Sequence, residues 1–197
     1  MKNQVSIRLN STLGLLSMLM FGSVSAQSDT ANWPSQNLNI ENSRYSTLDQ
    51  IDTSNVDQLT MLWSFEPGLR DDIAQVTPLV VDGVMYLHSR ATMYALDATT
   101  GEELWRRSLD SGPANGPVRG STYAEGRVYA YRGADLYAFD AATGAALASF
   151  GDSGFLKVVA QGLHHQYPDT YPTDIDPITI GYRLTTPPTF HDGIIYV

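Results

Sequence analysis

Two stretches of the chain repeat at a fixed offset of 43 residues. Asp82-Gly83-Val84-Met85-Tyr86 returns as Glu125-Gly126-Arg127-Val128-Tyr129, and Tyr94-Ala95-Leu96-Asp97-Ala98-Thr99-Thr100-Gly101 returns as Tyr137-Ala138-Phe139-Asp140-Ala141-Ala142-Thr143-Gly144. Ten of the 23 aligned pairs from Asp82 to Leu104 are identical, which places the chain among repeat architectures. A period of about 40–45 residues made of short strands is the size of a four-stranded propeller blade, so the expected fold is all-β.

Each unit reads as apolar strand, polar-Gly turn and apolar strand, then a third strand ending in Asp-x-x-Thr-Gly and a fourth beyond it. Leu79-Val80-Val81, Asp82-Gly83 and Val84-Met85-Tyr86-Leu87 form a hairpin pattern in which glycine supplies a positive φ. The Asp97 carboxylate is placed to close an Asx-type turn near Thr99 and Thr100 before Gly101 reverses the chain. Trp105 follows at a point where a large aromatic side chain can wedge against a neighbouring sheet. Tyr86, Tyr94, Tyr129, Tyr137 and Tyr196 fall at recurring positions and are expected to pack between blades. A third unit starts at Asp192-Gly193-Ile194-Ile195-Tyr196-Val197, giving about two and a half blades in a partial ring.

The first 26 residues carry Lys2 and Arg8, no acid, an apolar run from Leu13 to Phe21 broken by Gly14 and Ser17, and then Val24-Ser25-Ala26. These are the parts of a secretory signal peptide cleaved after Ala26. The apolar run is too short to span a bilayer. Residues 1–26 are therefore expected to be removed, leaving 27–197 as the N-terminal part of a propeller domain truncated inside a strand. That remainder carries 21 acids against 10 bases, a net charge of −11, and phosphate binding needs clustered Lys and Arg, so nucleic acid is excluded as a partner. The chain has no cysteine; export would permit disulfides, but none can form here, and stability must come from sheet packing.

Ahead of the repeat lie Asn32-Trp33-Pro34, Ser43-Arg44-Tyr45-Ser46, Leu48-Asp49-Gln50-Ile51, Asn55-Val56, Leu59 and Leu62-Trp63-Ser64-Phe65. Thr77-Pro78-Leu79-Val80-Val81-Asp82-Gly83 and the spacing Ala95-x-Asp97-x-x-Thr100-Gly101-x-x-x-Trp105 follow. In content and order, from Trp33 to the last residue, these blocks resemble the quinoprotein alcohol and sugar dehydrogenases, whose tryptophan-docking motif repeats around an eight-bladed propeller. The resemblance implies a periplasmic enzyme that holds pyrroloquinoline quinone on the propeller axis. A calcium or lanthanide ion would act there as Lewis acid, and an aspartate would take the proton of an alcohol, sugar or polyol hydroxyl. Electrons would pass to a cytochrome c or a membrane quinone.

Three positions match the family's cofactor contacts. Gln75, two residues before Thr77-Pro78, stands where many members place Glu or a similar polar group, and its amide can hydrogen-bond a quinone or carboxylate oxygen. Arg119, in Val118-Arg119-Gly120, matches an arginine whose rigid donor fork suits an anionic, multi-carbonyl ligand. Thr185, in Leu184-Thr185-Thr186-Pro187-Pro188, matches a threonine whose hydroxyl meets a cofactor carboxylate. Each has a plainer reading: Gln75 as a polar residue starting a strand, Arg119 as a surface partner of Asp110 or Glu125, Thr185 as a turn-closing hydroxyl. The metal ligands and the catalytic aspartate are expected beyond Val197, so the fragment alone is expected to be inactive.

The pattern departs from the family at three places. The adjacent cysteine pair that many alcohol-oxidising members carry before the arginine is missing from Leu109 to Pro117, which favours the glucose, sugar or polyol branch. The second docking motif ends in Ala148 where tryptophan is expected, with Phe150 nearby to fill the space. The spacing from Gly126 to Gly193 is 67 rather than 43, so 24 extra residues lie within about Gly151 to Ile180. This stretch, with His164-His165, Asp169, Asp174 and Asp176, reads as a long loop of the kind that shapes a substrate entrance, and a solvated excursion or a metal site are its other readings. The competing function from another class is an exported propeller without cofactor, acting as a protein-binding or assembly scaffold.

Overall fold

Three acidic-Gly dipeptides set the hairpins. In the computed structural model, which describes residues 31–68, 73, 75–109 and 118–197, both residues of each dipeptide have positive φ: Asp82 50° and Gly83 77°, Glu125 51° and Gly126 73°, Asp192 48° and Gly193 76°. The sequence pattern assigns the positive φ to glycine alone. The acidic residue shares it because a type I′ turn, whose twist matches that of the strands, needs it at both central positions. Asp82 is held there by Asn32, which donates Nδ2–H to Oδ1 at 3.0 Å and accepts the Asp82 N–H at 2.9 Å. The proposed signal peptide lies outside the described residues.

The first blade contains β1 (Leu79–Val81), β2 (Val84–His88), β3 (Thr92–Asp97) and β4 (Glu103–Ser108), in that order across an antiparallel sheet. The second contains β5 (Thr122–Ala124), β6 (Arg127–Arg132), β7 (Asp135–Asp140) and β8 (Phe155–Leu156) in the same order. A hairpin of β9 (Thr189–His191) and β10 (Ile194–Tyr196) starts the third. The described residues thus form two four-stranded blades and the inner half of another, the expected partial propeller.

The expected Asx turns are present. Asp97 Oδ1 accepts the N–H groups of Thr99 and Thr100, both at 2.8 Å, and Asp140 Oδ1 accepts the Thr143 N–H at 2.9 Å and its hydroxyl at 2.7 Å. These donors stabilise the charged form and hold both carboxyls below the usual range, with Thr100 the leading cause for Asp97 and Thr143 for Asp140. Glycine closes each turn because a tryptophan from the preceding segment or blade packs on it and leaves no room for a side chain. A Cβ on Gly101 (φ 74°) would stand 2.6 Å from the Trp63 ring, and one on Gly144 (φ 67°) 2.6 Å from the Trp105 ring.

Trp63 donates Nε1–H to the Ala98 carbonyl at 3.2 Å, and Trp105 donates to that of Ala141 at 3.0 Å. Trp105 sits on the outermost strand of the first blade and docks on the turn of the second. Trp63 makes the same contacts with the first blade, so the segment carrying it stands where the outermost strand of a preceding blade would stand. The inter-blade core around Trp105 includes Leu79, Met93, Val128 and Phe139, all nearly inaccessible to solvent. Tyr86, Tyr94, Tyr129 and Tyr137 are buried as expected, whereas Tyr196 is exposed, because no third strand pairs with the β9–β10 hairpin among the described residues.

The outer edge of the second blade departs from the expected unit. After Gly144 the chain bridges back to the blade at Ala146–Phe139, then loops through Gly151, Ser153 and Gly154, all at positive φ, with Gly151 bridging to Phe155, and pairs again with β7 at β8. Ala148 is exposed. Phe150 fills the vacated place: its ring lies 5.9 Å from that of Tyr129, matching the 6.0 Å between Trp105 and the equivalent Tyr86. The 24-residue excess is also not a plain loop. It contains α1 (Val158–Gln166) and a 3-10 turn at Pro177–Ile180, whose first turn Asp176 caps by accepting the Ile178 N–H at 3.0 Å.

Candidate functional site

The innermost strands of successive blades run side by side. Thr77 and Gly120 form a parallel bridge, with the Thr77 N–H donating to the Arg119 carbonyl at 3.4 Å. A Cβ on Gly120 would meet the Thr77 carbonyl oxygen at 3.4 Å and Pro187 at 3.7 Å. The Thr122 hydroxyl donates to the Pro188 carbonyl. The leading ends of β1, β5 and β9 are therefore drawn together. Gln75, Arg119 and Thr185 each stand one or two residues ahead of these contact points, and all three are exposed. No hydrogen bond or ion pair ties one of their side chains to another. The Glu125 carboxylate lies 3.9 Å from Arg127, so the surface pairing of Arg119 with Glu125 is not formed; Asp110 lies outside the described residues.

Arg119 is exposed while Val118, Gly120 and Ser121 around it are buried. Its N–H donates to Tyr131 Oη at 3.2 Å, its carbonyl accepts from Thr77, and the next carbonyl, that of Gly120, lies 3.0 Å from His88 Nδ1. Since a carbonyl only accepts, Nδ1 carries the proton, and Nε2 is then a bare acceptor, buried and without a hydrogen-bond partner among the described residues. His88 is 0% exposed, and burial pushes its pKa down to about 4, offset only in part by the Gly120 and Tyr131 backbone. Its ring meets that of Tyr131 edge-on at 5.5 Å. Ser121 Oγ is likewise buried and unpaired among the described residues.

His88, Ser121 and Tyr131 were not among the residues singled out from sequence. The 43-residue offset aligns His88 with Tyr131, and this swap of a polar ring at one repeat position is the available signal. Only the folded structure shows that the two rings hold adjacent backbone groups, Tyr131 the Arg119 N–H and His88 the Gly120 carbonyl.

The insertion is fixed to the same end of the second blade. Leu184 N–H donates to the Gly133 carbonyl at 2.8 Å and Val159 N–H to that of Ala134 at 3.3 Å, on the turn that follows Tyr131 and Arg132. Two of its polar residues are used structurally. His164 Nδ1 ties the helix to the Tyr171 carbonyl at 2.7 Å, Asp176 caps the 3-10 turn, and Asp169 and Asp174 are exposed. Among the described residues no three or more His, Cys, Asp or Glu side chains cluster as a metal site would require.

A guanidinium, an amide and a hydroxyl, presented by three neighbouring inner strands with no described acid neutralising the cation, fit an anionic, multi-carbonyl ligand such as pyrroloquinoline quinone.

The chain matches the family model described as PQQ glucose/ethanol/alcohol dehydrogenase, beta-propeller domain, over residues 33–195. It is 39% identical over 84 residues to quinohemoprotein alcohol dehydrogenase ADH-IIG of Pseudomonas putida, covering 42% of this chain and 12% of that protein. With the lanthanide-dependent methanol dehydrogenase of Methylorubrum extorquens it shares 38% identity over 104 residues, 47% of this chain and 17% of the relative. The solved structure of the Pseudomonas putida ADHIIG enzyme superposes with a TM-score of 0.63 at 28% identity, covering 84% of this chain and 22% of that one. The quinohemoprotein alcohol dehydrogenase of Comamonas testosteroni gives 0.61 at 25% identity, covering 83% and 22%. The chain thus spans less than a quarter of the length of these relatives. With its docking tryptophans, its partial ring and this match over most of its length, the chain belongs to the β-propeller family of PQQ-dependent glucose, ethanol and alcohol dehydrogenases.

Proposed function

We propose that the full-length protein is a periplasmic quinoprotein dehydrogenase that oxidises an alcohol hydroxyl, with Gln75, Arg119 and Thr185 forming one side of the quinone pocket. The observation that carries this reading is the meeting of three inner-strand leading ends at Thr77, Gly120 and Pro187, beside a cation that no described acid neutralises. Pyrroloquinoline quinone, bound with a calcium or lanthanide ion, supplies the two-electron acceptor as the substrate's carbinol carbon becomes a carbonyl. Arg119 binds and orients an anionic ligand edge by bidentate hydrogen bonds, Gln75 donates from its amide, and Thr185 donates from its hydroxyl. The insertion, anchored beside this end, borders the approach to the pocket.

The relatives' names favour an alcohol over the sugar or polyol branch that the missing cysteine pair suggests. The names quinohemoprotein and alcohol dehydrogenase (quinone) support a cytochrome c or a membrane quinone as electron acceptor. Export proceeds through cleavage after Ala26, so the N-terminus of protein recovered from the periplasm is expected to begin at Gln27; a retained Met1 would refute this.

The test is dye-linked oxidation of a panel of alcohols and sugars by the full-length protein, with and without added quinone and with calcium or lanthanum. Turnover that requires quinone and metal and collapses in Arg119→Ala is the expected result. Absence of turnover, with no quinone recovered from denatured protein, would instead favour the cofactor-free scaffold.

A further inference from the structure

Resting on the reading of Arg119 as a quinone ligand, we infer that His88 and Tyr131 are positioning residues that clamp the Arg119–Gly120 backbone from beneath and so preorganise the guanidinium for the cofactor. The backbone groups on either side of the Arg119 side chain are all engaged. The Arg119 N–H is held by Tyr131 Oη at 3.2 Å, its carbonyl by the Thr77 N–H at 3.4 Å, and the Gly120 carbonyl by His88 Nδ1 at 3.0 Å.

Gly120 is the weak point of this segment. Its φ of 137° lies where an L side chain is strained, so local preference does not hold the chain here and the conformation must be imposed by partners. His88 and Tyr131 are the side chains that impose it, and both are buried, at 0% and 2% exposed. They also brace each other edge-to-face at 5.5 Å. The result is an exposed, rotamer-rich cation on a fixed root. This lowers the ordering cost of ligand binding without any contact between the two rings and the ligand.

The experiment is a double-mutant cycle on full-length apoprotein, reading quinone affinity from quenching of tryptophan fluorescence, independently of turnover. Tyr131→Phe keeps the ring and removes the acceptor for the Arg119 N–H; His88→Leu removes the donor to Gly120; His88→Asn retains a donor at the Nδ1 place. Tyr131→Phe and His88→Leu are each expected to weaken quinone binding about five- to ten-fold, the worth of one hydrogen bond, with most of that loss recovered in His88→Asn. In an Arg119→Ala background neither is expected to weaken it further.

Equal losses in both backgrounds would show a merely structural role and overturn the inference, as would an unchanged affinity in Tyr131→Phe where Arg119→Ala weakens binding. If Arg119→Ala itself leaves quinone affinity unchanged, the cofactor reading of Arg119 falls and this inference falls with it. The Arg119→Ala arm thus separates the two failures.

Discussion

The indole of Trp105 lies so closely over Gly144 that a Cβ there would stand 2.6 Å from ring atom Cδ2. Gly144 also has a φ of 67°, so alanine is opposed twice, by the ring and by its own backbone. Gly144→Ala is expected to cost about 2–5 kcal/mol, the sum of a left-handed penalty and an overpacking penalty. Gly83→Ala, whose Cβ would meet nothing within 4 Å at a φ of 77°, should cost only about 1 kcal/mol. Thermal unfolding of the two full-length variants side by side checks this, and equal losses would contradict it.

The Ala141 carbonyl accepts two hydrogen bonds, from Trp105 Nε1 at 3.0 Å and from Tyr86 Oη at 3.2 Å. Removing one donor leaves the oxygen paired. Trp105→Phe should therefore cost only about 1–2 kcal/mol, while Trp105→Ala, which opens a cavity between blades, should cost about 3–5 kcal/mol. Denaturant titration of both variants is the measurement, and a phenylalanine variant as unstable as the alanine one would assign the energy to the hydrogen bond rather than to packing.

His88 gives the fold an acid limit. Its pKa falls from 6.5 in the unfolded chain to about 4 in the folded one because burial disfavours the imidazolium. Below pH 6.5 the unfolded chain takes up a proton that the folded chain refuses. Stability is thus present in full above 6.5 and is lost as pH falls toward 4, by about 3 kcal/mol in total. His88→Asn should flatten that part of the stability–pH profile, measured as unfolding midpoint from pH 7.5 to 4. An unchanged slope in the variant would mean that other groups set the limit.

Gly120→Ala should act on the quinone site more than on stability. The added Cβ meets the Thr77 carbonyl oxygen at 3.4 Å, and the residue must keep a φ of 137° or move. Movement displaces Arg119, so quinone affinity should fall about ten-fold or more, by the sensitivity of preorganised sites to small shifts. Equilibrium quinone binding by the apoprotein reads this directly; wild-type affinity in the variant would show that the Arg119 root tolerates displacement.

Most of the fold was legible from local pattern. The 43-residue repeat is written twice in the chain, and the Asp97 and Asp140 turns depend on interactions within a few residues, so each follows from its own short segment. The outer edge of the second blade was not legible. Ala148 breaks the docking motif, and Phe150 substitutes only by looping past it to reach Tyr129, a choice made by space in the inter-blade core. Nor was α1 visible, since it packs on β7 and on the Gly133–Ala134 turn and carries few helix signals of its own.

The candidate site divides the same way. Sequence alone determined the propeller class through its repeat, and singled out Gln75, Arg119 and Thr185 through its resemblance to the family. The contacts between the strands that follow them were decided by tertiary structure. Inter-blade packing sets Thr77 against Gly120 and Gly120 near Pro187, the points just after residues 75, 119 and 185, and the buried rings of Tyr131 and His88 meet the backbone of Arg119 and Gly120 only there. Hydrogen bonds within a turn are encoded where the turn is written, whereas contacts between blades depend on how separately folded sheets fill the space between them.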